Sequence, residues 1–174
     1  MTRILSLPGS APPRQLEDVR DDPRRFPVVA LEGARTALCV FAAQWHGRQD
    51  AYWLAEAGAR TTCVDVNRTK LEEMQRVYPQ GWKFETADAF AFVEMSWRNG
   101  LKWDVVTADP FTGDAMDRCH RNIALWCKLA NNAVVMGSTI HQKIRTAPAG
   151  WEIKDTHYRG DFDGGVYWTV LKPC

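Results

Sequence analysis

Three aspartates follow strand-like runs at spacings that could bring them together. Asp65, Asp88 and Asp109 are 23 and 21 residues apart, and a helical pattern fills each gap. In an open parallel sheet, ligands bind in the crevice beyond the carboxyl ends of the strands. Carboxylates at that edge can accept hydrogen bonds from ribose hydroxyls, an exocyclic amine and a substrate amine. The spacing therefore predicts a nucleotide-type pocket with a reacting group beside it.

Strand and helix patterns alternate from residue 36 onward and end in an antiparallel hairpin. They predict an α/β fold with a mixed sheet, parallel except for one antiparallel strand that the hairpin contributes. The predicted strands cover residues 36–43, 61–66, 82–86, 103–108, 133–137, 151–158 and 166–171. Four helices are predicted. The first covers residues 49–58, and the second is capped by Asn67 or Thr69 and ends before Pro79. The third is capped by Asp88 and ends at Gly100, and the fourth is a long helix from Asp114 to Ala130.

The domain organisation follows from a change in composition near residue 36. Residues 1–35 hold five of the nine prolines, which predicts an irregular arm or lid, or a partly ordered leader. Residues 36–174 form the single folded domain, because a chain of 174 residues with 45% apolar residues can bury one core.

The composition also argues against several classes of partner. Basic residues exceed acidic residues by one, so charge does not indicate a nucleic-acid partner, although such a partner stays possible. No segment approaches the roughly 20 apolar residues of a membrane span, and no signal peptide is recognisable. The five cysteines form no Cys-x-x-Cys pair, and a cytoplasmic location is expected. Cys119, His120 and Cys127 do not share one helical face, so no metal site is predicted.

The order of elements resembles that of the class I S-adenosylmethionine-dependent methyltransferases, which have a Rossmann-like sheet closed by a β-hairpin and helices on both faces. The resemblance implies S-adenosylmethionine as cofactor. It implies that Asp65 binds the ribose hydroxyls and that Asp88, Ala89 and Phe90 hold the adenine. An ionised aspartate at a strand end can accept two hydroxyl donors, which agrees with the first of these roles.

The segment Asp109-Pro110-Phe111 is similar to a motif of the same family, Asp-Pro-Pro-Tyr, with one proline fewer. The resemblance implies that Asp109 holds a substrate amine and that Phe111 flanks the reacting ring, so these two are the candidate catalytic residues. The proline removes a donor and stiffens the loop, and the phenyl ring offers an apolar face.

The loop after the first strand departs from the family pattern. The family has a glycine-rich turn that often opens with an acid, but here Phe41 stands in place of the acid. Ala43 and Trp45 stand where glycines are usual, and only Gly47 remains. Two outcomes stay open: either Ala43, Gln44, Trp45 and Gly47 line an altered cofactor pocket, or cofactor binding has been lost.

Three functions are compatible with these patterns. The first is methyl transfer to an amine or ring nitrogen of a small molecule, a protein side chain or a nucleic acid. The alternative is a catalytically inactive protein of the same fold that serves as a partner-binding or structural subunit. A dinucleotide-dependent dehydrogenase ranks last, because the chain lacks G-x-G-x-x-G and ends in the hairpin. The sequence names neither the acceptor nor the oligomeric state.

Overall fold

The described residues form a seven-stranded sheet with helices on both faces. The computed structural model describes residues 27–78, 80–110, 112–139, 144–159 and 166–174, with the backbone alone for residues 28–29, 45–49, 138–139, 155–159 and 166–167. The strands are Thr36–Val40 (β1), Arg60–Asp65 (β2), Lys83–Thr86 (β3), Trp103–Ala108 (β4), Ala130–Thr139 (β5), Trp151–Arg159 (β6) and Val166–Pro173 (β7). The helices are a 3₁₀ turn Val28–Leu31 and the α-helices Trp45–Glu56 (α1), Arg68–Val77 (α2), Ala89–Arg98 (α3), Gly113–Arg121 (α4) and Ile123–Leu129 (α5).

The sheet order is β3-β2-β1-β4-β5-β7-β6. Strands β1 to β5 pair in parallel, and β7 pairs antiparallel with both β5 and β6. Only β7 therefore runs against the others, which confirms the mixed sheet predicted from the sequence. The chain order reverses between β1 and β4, and this places the carboxyl ends of β2, β1 and β4 side by side.

Two apolar clusters lie on opposite faces of the sheet. One includes Leu54 of α1 and Leu71 of α2, and the other includes Val93 of α3 and Trp126 of α5. Alternate residues of β1 enter the two clusters, so this strand is buried on both faces and reads as a continuous apolar run. The helix layers on both faces are thus confirmed. Within the described residues, no helix has the length and apolar character needed to cross a membrane.

The segment after β4 differs from its sequence prediction. A single helix from Asp114 to Ala130 was expected, but the chain forms α4 and α5 with Asn122 between them. The Asn122 Nδ2 donates to the Arg118 carbonyl at 2.8 Å, because an asparagine side chain competes with the backbone for helical hydrogen bonds. The N-cap of α4 is Thr112, whose hydroxyl accepts from the Ala115 amide, and not Asp114. Strand β5 starts at Ala130 and ends at Thr139, so it is longer at both ends than the predicted strand 133–137.

The other helix starts are set by local capping. Asn67, and not Thr69, caps α2 by accepting from the Lys70 amide at 3.1 Å. Asp88 caps α3, as the sequence predicts. Helix α1 begins at Trp45, four residues before its predicted start, so the turn after β1 is shorter than expected.

The end of the N-terminal segment packs on the sheet. Ala30, Leu31 and Ala34 are buried in the same cluster as α1 and α2. Residues 1–26, which include most of the predicted arm or lid, lie outside the described residues, and the division at residue 36 stays a prediction.

Asp104 ties the start of β4 to the start of β1. Its Oδ2 accepts from the backbone amides of Arg35 and Thr36 at 2.8 and 2.9 Å and from the Thr36 hydroxyl at 3.2 Å. The Asp104 amide donates back to that hydroxyl at 3.0 Å. Burial acts to raise the pKa of Asp104, but the hydrogen bonds from Arg35 and Thr36 outweigh it and lower the pKa. The ionised carboxylate therefore stabilises the pairing of two central strands.

We expect Asp104→Ala to lower the free energy of unfolding by about 1–3 kcal/mol, because the Arg35 and Thr36 donors lose their acceptor. Urea denaturation measures the change. Glu85→Ala, which removes an exposed carboxylate from β3, is the matched control and should change stability by less than about 0.5 kcal/mol. Since the pKa of Asp104 is lowered on folding, its contribution is present above the unfolded pKa of about 3.9 and is lost as the pH falls below it. Equal stability of Asp104→Ala and wild type would contradict the assignment.

Candidate functional site

The carboxyl edge of the sheet brings the three aspartates to neighbouring positions. Asp65 is the last residue of β2 and pairs with Thr86, so Asp88 follows β3 at the same edge. Asp109 follows Ala108, which pairs with Val40 at the end of β1. The aspartates therefore lie along one rim, beyond strands β3, β2 and β4, with the loop after β1 between them.

Asp65 is 4% exposed and binds backbone on two sides. Its Oδ2 accepts from the Ala43 amide at 3.1 Å, and its Oδ1 accepts from the Asn67 amide at 2.8 Å. Its backbone carbonyl also accepts from the Ala87 amide at 3.0 Å. The carboxylate thus holds the loop after β1 against the start of α2, and a ligand hydroxyl would have to use the remaining lone pairs of these oxygens.

Asp88 is exposed and stands at the N-terminus of α3. Its Oδ1 accepts from the amides of Phe90 and Ala91 at 3.1 and 2.9 Å. Among the described residues, none donates to the second oxygen, Oδ2. The structural role of a helix cap is therefore present, and one carboxylate oxygen stays open to a ligand donor. Ala89, the next residue, is buried.

The Phe90 side chain is enclosed by other side chains. Its ring makes edge contacts with Phe41 and Trp126, at centroid distances of 5.8 and 6.3 Å. The Arg118 guanidinium lies 3.9 Å from the Phe90 centroid, in a cation–π contact. Phe90 therefore packs α3 against α4 and α5. A flat ligand can contact only the part of the ring that these side chains leave exposed.

The turn after β1 places its conformational strain at Phe41. This residue has a φ of 62°, a left-handed conformation that L residues with large side chains rarely adopt. Its carbonyl accepts from the Gln44 amide at 3.1 Å, which closes the turn before α1. Position 41 is therefore the position in this turn whose backbone conformation favours glycine. Positions 43 and 45, where the family pattern has glycines, do not have this conformation, and Trp45 already belongs to α1. The strain costs on the order of 1–3 kcal/mol and is held by the buried Phe41 ring.

Asp109 rests directly on a glycine of the neighbouring strand. It is 1% exposed, and a Cβ atom added to Gly137 of β5 would lie 2.0 Å from its Oδ1 and 2.7 Å from its Cγ. No real Cβ approaches another atom this closely, so the position of the Asp109 carboxylate requires glycine at residue 137. The buried carboxylate is surrounded by protein, where its charge acts more strongly than in water.

His120 and Cys119 of α4 line the same end of β4 and β5. The His120 Nε2 lies 3.3 Å from the Gly137 carbonyl oxygen. Burial lowers the pKa of His120, although the Gly137 carbonyl and Asp117 oppose the change, so the ring is neutral at neutral pH. Burial raises the pKa of the Cys119 thiol to about 12, and the charge of Asp109 adds to this effect. The thiol is therefore protonated and unreactive.

The other predicted site residues are described in part. The backbone of Trp45 and Gly47 forms the first turn of α1, where the structure describes no side chain. Phe111 lies outside the described residues. No group of three or more His, Cys, Asp or Glu side chains that could hold a metal ion occurs in the described ranges.

Three residues of this rim were missed by the sequence prediction. The sequence predicts Gly137 only as the end of a strand and gives His120 no role once a metal site is excluded, because the contacts of both residues join positions 17 or more apart in the chain. Val66, the last residue of the predicted second strand, lies one residue beyond β2 and is 67% exposed.

Comparisons with known proteins identify the fold. No protein-family model matches the sequence, and no curated protein sequence matches it significantly. Solved structures do match. A structure described as a methyltransferase, yhhF from Escherichia coli, is similar with a TM-score of 0.64 and 15% identity, over 95% of this chain and 89% of that chain.

Two further structures show the same architecture. Magnesium protoporphyrin IX methyltransferase of Synechocystis, solved with bound S-adenosylhomocysteine, has a TM-score of 0.63 and 13% identity, over 95% of this chain and 90% of that chain. TrmN from Thermus thermophilus has a TM-score of 0.62 and 14% identity, over 92% of this chain and 53% of that chain, so the protein spans about half of TrmN. The chain therefore has the Rossmann-like fold of the class I S-adenosylmethionine-dependent methyltransferases, as the element order predicts.

Proposed function

We propose that this protein binds S-adenosylmethionine and transfers its methyl group to an amine or ring nitrogen of an acceptor. The observation that carries the proposal is the row of carboxylates, Asp88, Asp65 and Asp109, along the carboxyl edge of a methyltransferase-type sheet. When bound, the cofactor supplies a methyl group on a sulfonium sulfur, and the thioether that remains after transfer is a good leaving group. The protein therefore contributes mainly by orienting the reactants. The solved structures of the same fold support this assignment.

The described residues fit the adenosine portion of the cofactor. Asp88 Oδ2 faces no described donor and can accept from an exocyclic amine. The exposed side chain of Val66, the residue after Asp65, can offer an apolar surface to the adenine ring. Asp65 can accept ribose hydroxyls with the lone pairs that the Ala43 and Asn67 amides leave open. Ala43 and Gln44, with Trp45 and Gly47 at the start of α1, then border the remaining length of the cofactor.

Asp109 fits the acceptor portion. It follows β4, next to β1 in the sheet, and its carboxylate is buried against Gly137. A buried negative charge in a fixed position stabilises the positive charge that develops on a nitrogen as it is methylated. The proposal requires the region over Asp109 to open when the acceptor binds, since the carboxylate is 1% exposed. Phe111, the second candidate catalytic residue, would flank the acceptor.

The acceptor class that we propose is a nitrogen compound, whether a small molecule, a protein side chain or a nucleic acid. The net charge of +1 gives no general attraction for a polyanion, which favours the first two over extended nucleic acid. Recognition would then depend on Asp109 and its neighbours and not on a basic surface.

Calorimetric titration of the purified protein with S-adenosylmethionine, S-adenosylhomocysteine and NAD tests the proposal. We expect saturable binding of the two adenosyl compounds and none of NAD. Saturable binding of NAD alone would support the dehydrogenase, which the sequence ranks last. The absence of binding by all three would overturn the cofactor assignment.

A second function is supported by the turn after β1. Phe41 adopts a φ of 62° and fills this turn with an aromatic ring, and both carboxylate oxygens of Asp65 already accept backbone amides. These contacts stabilise the turn without any ligand. They favour an inactive protein of the methyltransferase fold that serves as a partner-binding or structural subunit. The same titration separates the two functions, because an inactive subunit of this kind shows no saturable cofactor binding.

We expect Asp109→Asn to lower turnover at least tenfold while the affinity for S-adenosylmethionine changes little. Asparagine keeps the size of the side chain above Gly137 but removes the charge, and such pre-organised charge is commonly worth about 2.7–4 kcal/mol in the transition state. Radiolabelled methyl transfer and calorimetry measure the two quantities. Asp114→Asn, at an exposed position in the first turn of α4, is the control. An equal loss of cofactor affinity would place Asp109 in the cofactor pocket instead.

A further inference from the structure

We propose that His120 is the positioning residue of Asp109: its ring holds Gly137, and Gly137 is the surface on which the Asp109 carboxylate rests. The expected effect of His120 on turnover rests on the proposed function, whereas its expected effect on the position of the Asp109 carboxylate does not. Two contacts between neighbouring elements carry the inference, and the electrostatic effect of Asp109 on α4 agrees with them.

The first contact joins β4 and β5. The register pairs Ala108 with Met136, so Asp109 and Gly137 are the next residues along two neighbouring strands. The Asp109 Oδ1 occupies the space where any other residue at position 137 would place its Cβ. A small movement of Gly137 toward β4 therefore displaces the carboxylate.

The second contact joins α4 and β5. Strand β4 ends at Ala108, whereas β5 continues to Thr139, so the end of β5 extends beyond its neighbour. The His120 Nε2 reaches the Gly137 carbonyl at 3.3 Å and supplies a donor at this point. The ring is half-buried, and of its two neutral tautomers the one with the proton on Nε2 donates to a carbonyl from this atom.

A third observation concerns the charge of Asp109 and the same helix. The carboxylate raises the pKa of Cys119, the neighbour of His120 in α4, in addition to the effect of burial. The charge of Asp109 therefore acts on α4, and its carboxylate rests on the glycine of β5. The charged group recorded beside His120 on its own helix is Asp117, which favours the protonated ring but does not outweigh burial.

Two substitutions separate a positioning role from simple packing. His120→Gln keeps an N–H donor at a similar reach and removes the titrating ring, whereas His120→Leu keeps apolar volume and removes the donor. We expect the carboxyl ¹³C resonance of Asp109, assigned by Asp109→Asn in protein labelled at aspartate, to shift in His120→Leu and to stay in place in His120→Gln. Turnover should fall about tenfold or more in His120→Leu and stay within about threefold of wild type in His120→Gln, with unchanged affinity for S-adenosylhomocysteine in both.

Several results would overturn the inference. An unmoved Asp109 resonance in a folded His120→Leu protein would show that the ring does not position the carboxylate. A folded His120→Gln protein with the shift and loss of His120→Leu would show that the donor is not the cause. If His120→Leu does not fold, ¹⁵N spectra of wild type decide: a neutral ring protonated on Nδ1 cannot donate from Nε2 and excludes the contact. A wild type with no cofactor binding would end the proposed function, while the resonance measurements would still test the positioning.

Discussion

Gly137→Ala should reduce turnover on the order of a hundredfold and lower the free energy of unfolding by about 1–3 kcal/mol. The added Cβ would lie 2.0 Å from the Asp109 Oδ1 and 3.2 Å from the Asp109 Cα, so a rotation of the side chain alone leaves the backbone contact tight. The carboxylate has to leave its position, or β5 has to move away from β4. Chemical denaturation and a methyl-transfer assay measure the two effects.

A double-mutant cycle shows whether the collision is the cause. Asp109→Ala removes the two side-chain atoms nearest the new Cβ and leaves only the Asp109 Cα at 3.2 Å, so Asp109→Ala with Gly137→Ala should be little less stable than Asp109→Ala alone. Gly137→Ala should therefore lower the free energy of unfolding more in the wild-type background than in the Asp109→Ala background. The difference is the coupling energy, which we expect to be about 0.5–3 kcal/mol for neighbouring positions. Additive effects, or a Gly137→Ala protein with the stability and turnover of wild type, would contradict the close contact between Asp109 and Gly137.

Asp65→Ala should weaken the binding of S-adenosylhomocysteine by about 1.5–3 kcal/mol and destabilise the protein as well. The affinity falls because ribose hydroxyls lose a charged acceptor. The stability falls because the Ala43 and Asn67 amides lose theirs, at 3.1 and 2.8 Å, at a nearly fully buried position. Calorimetry and urea denaturation separate the two effects.

Asp65→Asn is the matched variant, since it keeps the size of the side chain and one carbonyl acceptor. It should retain more stability than Asp65→Ala and still bind the ligand more weakly than wild type, because the charge is lost. If Asp65→Asn and a folded Asp65→Ala both bind S-adenosylhomocysteine like wild type, the ribose assignment is wrong. Asp65 is then a structural carboxylate that fixes the loop after β1.

The sequence by itself determined the architecture of this protein. Alternating strand and helix patterns, followed by two strands across a glycine-rich segment, predict the parallel sheet and its antiparallel strand, and the sheet order confirms them. The Asp88 cap was also predictable, because a cap joins residues two and three positions apart. Such features depend on periodicity and on neighbours in the chain, which a single sequence displays.

The helix after β4 shows where local patterns stop being sufficient. The apolar residues between Asp114 and Ala130 fit one helix, and nothing in their period marks the interruption at Asn122. The start of β5 is a separate matter: Ala130 pairs with Trp103 of β4, three residues before the predicted start of the strand. Strand pairing across the sheet therefore set this boundary, and pairing is a long-range contact.

Only the tertiary structure decided how the rim is built. The sequence places Asp65 and Asp109 at strand ends, but it does not show that backbone amides occupy the first or that the second lies on Gly137. The Asn67 amide is only two positions from Asp65. The contacts of Ala43 with Asp65, of Asp109 with Gly137 and of His120 with Gly137, however, join residues 22, 28 and 17 positions apart. Each depends on which strands become neighbours and on the space left between them. Spacing along the chain can predict which strand ends meet, whereas the shape and hydrogen bonding at that meeting point follow from packing in three dimensions.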